Sequence, residues 1–207
     1  MNVMNKYITS KIKPTYSFYK FLILNTDKYN QDIIDILKEL IGECEIINVK
    51  SKTVIFYFNN IDVNFNDLIH TINDDFYIDA KLFESGKVQF NDNNELYLLL
   101  DIYDKAKLDK IIYSSNRDIL NYVIENDKSV INDIAPVILN KMIKDESLLM
   151  LANAMFENDL NVSVSAKNIY MHRNTVNYKL EQIKEETGLD IRKFKDAILM
   201  YQFLKMM

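Results

Sequence analysis

The chain has 207 residues, 48% of them hydrophobic and 27% charged, with a net charge of −5 and a single cysteine, Cys44. These values are those of a water-soluble globular protein long enough for one large or two small domains, and one cysteine excludes an internal disulfide. No apolar run reaches the length of a transmembrane helix and no apolar signal core opens the chain, so a cytoplasmic protein with no membrane partner is expected.

Residues 1–15 show no clear period and are expected as a tail. Residues 17–25, aromatic and aliphatic, predict a buried strand. Asn30 is placed to cap a helix that buries Ile33, Ile34, Leu37, Leu40 and Ile41 and stops at Gly42. Residues 45–50 and 53–58 predict a hairpin with Ser51 and Lys52 at its turn. Asp62 or Asn64 starts a second helix with Phe65, Leu68, Ile69 and Ile72 on one face. Residues 77–84 alternate as a strand does. The order β-α-β-β-α-β is the split-βαβ, ferredoxin-like plan, in which both helices cover one face of an antiparallel sheet.

Lys87 to Phe90 suggests a short strand, and residues 95–107 a helix burying Leu96, Leu99, Leu100 and Tyr103. Ser115 is placed to cap a helix over 116–125, and Pro136 to occupy the first turn of another. Residues 145–157 form a further helix with Leu148, Leu149, Leu151, Ala152 and Phe156 inward. Asp190 is read as the cap of a last helix with Phe194, Ile198, Leu199 and Phe203 on its apolar side. The expected organisation is a tail over 1–15, an α+β domain over 16–107, a helical connector over 108–144 and an all-α helix-turn-helix domain over 145–207.

Residues 161–180 carry the chemistry. Ser163 or Ser165 can cap a short helix ending near Ile169, Tyr170 and Met171 make a turn, and a second helix runs from about His172 to Gly188. Val176, Leu180 and Ile183 fall on one helical stripe, and small Ala166 lets two helices cross closely. The other face opens with Arg173, Asn174, Asn177 and Tyr178, groups able to reach base edges in a major groove. Ser163, Ser165, Lys167, His172, Thr175 and Lys179 are placed to hold phosphates or set the helix angle. Ser163 to Lys195 holds seven basic and four acidic residues on a chain that is otherwise acidic, which suits a small DNA-reading module on an acidic body.

Catalytic chemistry finds no comparable cluster. His70 and His172 have no ligand at metal spacing, Cys44 has no evident base, and three glycines provide no phosphate-cradling loop, so no catalytic residue, metal or cofactor is expected.

The stretch from about 148 to 203 contains Phe156-x-Asn158-x-x-Asn161, then Ala166-x-x-Ile169-x-Met171-His172-Arg173-Asn174-Thr175-Val176-x-Tyr178-x-Leu180-x-x-Ile183, and Thr187-Gly188-Leu189-Asp190. It resembles the PucR/CdaR-like family of bacterial transcriptional regulators, whose members end in a Fis-related helix-turn-helix. The upstream β-α-β-β-α-β order is similar to the degenerate GGDEF-related domain of many members, without any GGDEF-type sequence, so nucleotide cyclisation is not implied. Fis-type turns often carry Gly where this chain has Tyr170, which puts the local turn geometry in question. The resemblance implies a sequence-specific regulator binding double-stranded DNA, expected here as a homodimer. Two other readings stand beside it: a protein-interaction adaptor that does not bind DNA, and a sensor of an unidentified small-molecule effector.

Overall fold

The computed structural model describes residues 3–26, 31–91 and 94–207, the Asn140 side chain excepted. The chain divides into two compact units, Met1–Ser115 and Asn116–Met207. The division falls inside the stretch expected as a connector. Residues 113–115 form a strand of the first unit, and residues from 116 onward belong to the second.

The first unit is a mixed α+β structure. Its strands are β1 (Phe18–Asn25), β2 (Cys44–Val49), β3 (Lys52–Tyr57), β4 (Lys81–Glu84), β5 (Val88–Gln89) and β6 (Tyr113–Ser115). They form one sheet in the order β2-β3-β1-β4-β6, with β5 also paired to β1. Every pairing is antiparallel except β4 with β6. Helices α2 (Gln31–Ile41) and α3 (Phe65–Phe76) cover one face. Their Ile33, Ile34, Leu37, Phe65, Ile69 and Ile72 pack on Leu22, Leu24, Ile55, Tyr57 and Leu82. The Asn64 side chain caps α3 by accepting from Asp67 N–H at 3.3 Å; the expected Asn30 cap lies outside the described residues.

The alternate positions of the same strands face the other way, because side-chain direction reverses at each strand residue. Tyr19, Phe21, Phe56 and Phe83 make an aromatic layer there. Helix α1 (Val3–Ser10) sets Tyr7 edge-on against Phe90 at 4.9 Å, and α4 (Asn94–Lys105) sets Tyr103 edge-on against Phe83 at 5.5 Å. The expected tail is therefore corrected. Residues 3–10 are a helix whose first N–H groups are held by a remote carboxylate, Glu45, at 2.6 and 2.8 Å from Val3 and Met4.

Three local readings also change. The hairpin turns at Lys50 and Ser51, both at positive φ, which matches the right-handed twist of its strands and leaves Lys52 in β3 opposite Val49. Residues 77–80 precede β4 instead of joining it. Tyr77 ends α3 in the left-handed region, and the Asn73 side chain occupies both backbone groups of Ala80 at 2.8 and 2.9 Å. Pro136 lies inside α6 (Ile131–Ile138) instead of in its first turn.

The second unit is all helical: α5 (Asn116–Asn126), α6, α7 (Glu146–Glu157), α8 (Val162–Asn168), α9 (Arg173–Thr187) and α10 (Phe194–Met206). Asp190 does not cap α10, which starts at Lys193 without a side-chain cap. Its carboxylate is instead taken by Arg192, at 2.7 Å to Nε and 2.9 Å to Nη2. The buried side of α10 holds Asp196, Ala197, Leu199, Met200 and Phe203, while Phe194 and Ile198 are exposed. Asp196 sets that rotation. It accepts Arg117 Nε of α5 at 2.5 Å and Asp190 N–H at 2.9 Å. Asn116 Nδ2 donates to Thr187 O at 3.0 Å, tying α5 to the end of α9 as well.

Candidate nucleic-acid interface

Helix α7 presents the pair that follows it. Asp145 caps α7 by accepting Ser147 and Leu148 N–H at 2.9 and 3.3 Å. The Ser147 hydroxyl, the two backbone donors and the charge of Lys179 hold the Asp145 carboxyl below its usual range, against a smaller opposing effect of burial. At the far end of α7, Asn158 donates to Ala154 O at 2.6 Å and accepts from Asn168 Nδ2 of α8 at 2.8 Å. Asn161 then caps α8, taking Ser163 and Val164 N–H at 3.1 Å each.

This corrects the serine caps expected from sequence. Ser163 lies in the first turn of α8 and is exposed. Ser165 is fully buried, and its hydroxyl donates to Ala154 O at 3.1 Å, so it is not available to a phosphate. An asparagine immediately before an apolar-periodic helix is itself a cap signal, and it could have been preferred on that ground.

The turn after α8 is closed by Tyr170 N–H to Lys167 O at 3.2 Å and Met171 N–H to Ala166 O at 2.9 Å. This is the Schellman arrangement, which sends its C′ residue left-handed. Tyr170 takes that place at φ 54°. The turn thus keeps a glycine-like geometry on a tyrosine, at a cost of about 1 kcal/mol.

Helix α9 starts where His172 Nδ1 accepts Asn174 N–H at 3.2 Å. It buries Val176, Leu180 and Ile183 and ends at Gly188, φ 75°. Arg173, Asn174, Asn177 and Tyr178 are exposed on its first two turns, Tyr178 at 72%. Lys167, His172 and Thr175 are exposed beside them. No acidic residue lies between Lys167 and Lys179 in the sequence, while the later turns of α9 expose Glu181 and Glu185. The face is therefore receptive to a polyanion at its N-terminal end, where the helix dipole is also positive.

Lys179 differs from Lys167. It is half-buried, and its Nζ donates to Ser147 Oγ at 2.6 Å, which makes it part of the α7 cap. Past α9, Thr187 Oγ1 accepts Leu189 N–H at 3.0 Å, and Arg192 bridges Asp190 to Glu181 Oε1 at 2.6 Å. Burial pushes the Asp190 carboxyl up, but the hydrogen bonds and charge of Arg192 outweigh it and hold it below the usual carboxylate range.

Residues 148–206 match the PucR C-terminal helix-turn-helix domain. This stretch is a PucR-type helix-turn-helix. The Carbohydrate diacid regulator of Escherichia coli is 38% identical over 26% of this chain and 14% of that protein. The Purine catabolism regulatory protein of Bacillus subtilis is 33% identical over 33% of this chain and 13% of its own length. The chain spans 27% or less of the curated relatives it matches. Among solved structures, a regulator of polyketide synthase expression from Bifidobacterium adolescentis aligns over 99% of this chain and 86% of its own, with a TM-score of 0.40 and 12% identity. Two of the motif asparagines have structural roles, Asn158 as clamp and Asn161 as cap, while Asn174 is exposed on α9. Glycine at 188 is the C′ residue of α9.

Among the described residues no group of three or more His, Cys, Asp or Glu is arranged to hold a metal ion. Cys44 is half-buried, and burial pushes its thiol up, with the charge of Lys38 opposing and that of Glu45 adding to the rise. Among the described residues no helix is long and apolar enough to cross a membrane.

Proposed function

We propose that the protein is a sequence-specific DNA-binding transcriptional regulator that works as a homodimer. One observation carries the reading. In a PucR-type domain, Arg173, Asn174, Asn177 and Tyr178 share the exposed N-terminal turns of α9, opposite the buried Val176, Leu180 and Ile183. These four side chains read base edges: arginine suits guanine and asparagine suits adenine. Ser163, Lys167, His172 and Thr175 contact phosphates and fix the angle of α9. A two-fold dimer presents two such helices to two half-sites and compensates for a module with few cations.

The first unit fits the ferredoxin-like plan: β2-β3-β1-β4 order with α2 and α3 on one face supports it, and β6, α1 and α4 are additions. Effector sensing is a weaker reading. The cleft of about 350 Å³ bordered by Asn25, Lys52, Tyr103, Asp104 and Asp109 has its lysine already paired with Asp104 at 2.8 Å.

A DNA-shift assay of the full chain against genomic fragments, at two salt concentrations, tests the function. A fragment retained at the higher salt while bulk DNA is released supports it. Equal release of all fragments, or no shift at either salt, defeats it in favour of an interaction adaptor.

A further inference from the structure

Among the described residues two tyrosines, Tyr77 and Tyr170, stand just past a helix end in the left-handed region, at φ 53° and 54°. Gly42 and Gly188 fill the same kind of position without steric cost. Both tyrosine side chains are almost wholly in solvent, 94% and 98% exposed, so packing does not compensate the strained backbone. Their surroundings differ in charge. Tyr77 is flanked in the chain by exposed Asp74, Asp75 and Asp79, which repel a polyanion. Tyr170 lies between exposed Lys167 and Arg173, and the acidic residues nearest to it in sequence are Asp159 and Glu181. It also occupies the turn that joins α8 to the exposed face of α9.

We propose that Tyr170 is a DNA-backbone contact whose phenol O–H donates to a phosphate oxygen beside the groove read by α9. The proposal rests on the DNA-reading assignment above. A tyrosine hydroxyl is a recognised class of phosphate donor, and a phosphate contact positions the protein without reading sequence. Because the donor is neutral, it displaces no counterion. Its loss lowers affinity at every salt concentration by the same factor.

The test uses the full chain with the DNA fragment that the shift assay selects and an unrelated duplex of equal length. Tyr170→Phe and Tyr170→Gly each weaken binding to both duplexes about tenfold, the scale of one hydrogen bond to a charged oxygen. The slope of log affinity against log salt stays at the wild-type value. Tyr77→Gly leaves affinity unchanged and serves as the control for relief of the same backbone strain. The melting temperature of Tyr170→Gly is no lower than wild type, which separates lost contact from lost fold. Wild-type affinity in Tyr170→Phe overturns the hydroxyl contact. So does a loss confined to the selected fragment, which marks a base reader, or an equal loss in Tyr77→Gly. If the wild-type chain binds neither duplex, the DNA-reading assignment fails and this contact fails with it, an outcome distinct from the other three.

Discussion

Helix α9 buries Val176, Leu180 and Ile183 and turns its polar residues outward, whereas the next helix, α10, buries an aspartate and leaves Phe194 and Ile198 in solvent. Both belong to the same unit. The difference lies in what sets each rotation. For α9 it is a local apolar stripe with a cap at each end, His172 and Gly188. For α10 it is a polar anchor, Asp196, held by Arg117 from 79 residues away and by the Asp190 backbone. A helix positioned by its own stripe can be read from its own residues. One positioned by a buried aspartate and its distant partners cannot, because leaving that carboxylate without them costs more than burying two apolar side chains would save.

The sharpest way to break the contrast is Asp196→Ala. It leaves Asp190 N–H without its acceptor and takes this carboxylate from Arg117, whose side chain is partly in solvent, and should lower stability by about 2 kcal/mol in urea unfolding. A loss below about 1 kcal/mol would show that α10 is placed by its apolar residues after all. Arg173→Ala acts on the outward face of α9 and not on the fold. Specific DNA affinity should drop by about 1–3 kcal/mol with an unchanged melting temperature. Titration against one operator decides it, and equal affinities would retire Arg173 as a reader. Asn161→Ala removes the cap that α8 relies on and should cost about 1 kcal/mol of stability. Ser163→Ala, at the position first expected to cap, should cost close to nothing, and the reverse ranking would restore the serine.

Acid separates the network at the end of α9 from the apolar core. The folded chain holds the Asp190 carboxyl low, so the unfolded chain takes up its proton more readily. That contribution is complete above the ordinary aspartate pKa of about 3.9 and is lost as pH falls through the lower folded value. Asp190→Asn should therefore flatten the acid limb of a stability-against-pH curve while leaving the neutral region's slope alone. An unaltered acid limb would place the titration elsewhere. The smallest effects distinguish two lysines. Lys167→Ala should reduce the salt slope of DNA binding by about one phosphate's worth. Lys179→Ala, already engaged by Ser147, should leave that slope in place and cost only a few tenths of a kcal/mol of stability.

By itself the sequence determined the elements whose cause is local. Strand β1, the apolar faces of α2 to α4 apart from Leu40, which is exposed, and the whole of α9 follow from periodicity and capping within one segment, and so does the outward set Arg173, Asn174, Asn177 and Tyr178, whereas the choice of Asn64 over Asp62 as the α3 cap came with the structure. The tertiary structure decided whatever depends on a distant partner. Helix α1 forms against Glu45, the second sheet face is closed by rings from α1 and α4, and strand β6 exists only as a parallel neighbour of β4. Ser165 looks like any helix-start hydroxyl until Ala154 O removes it from the surface, and Lys179 looks like Lys167 until Ser147 draws it in. A side chain's type limits which hydrogen bonds it can make. Which of them it makes is settled by folding, because a buried polar group must find a partner wherever the chain brings one.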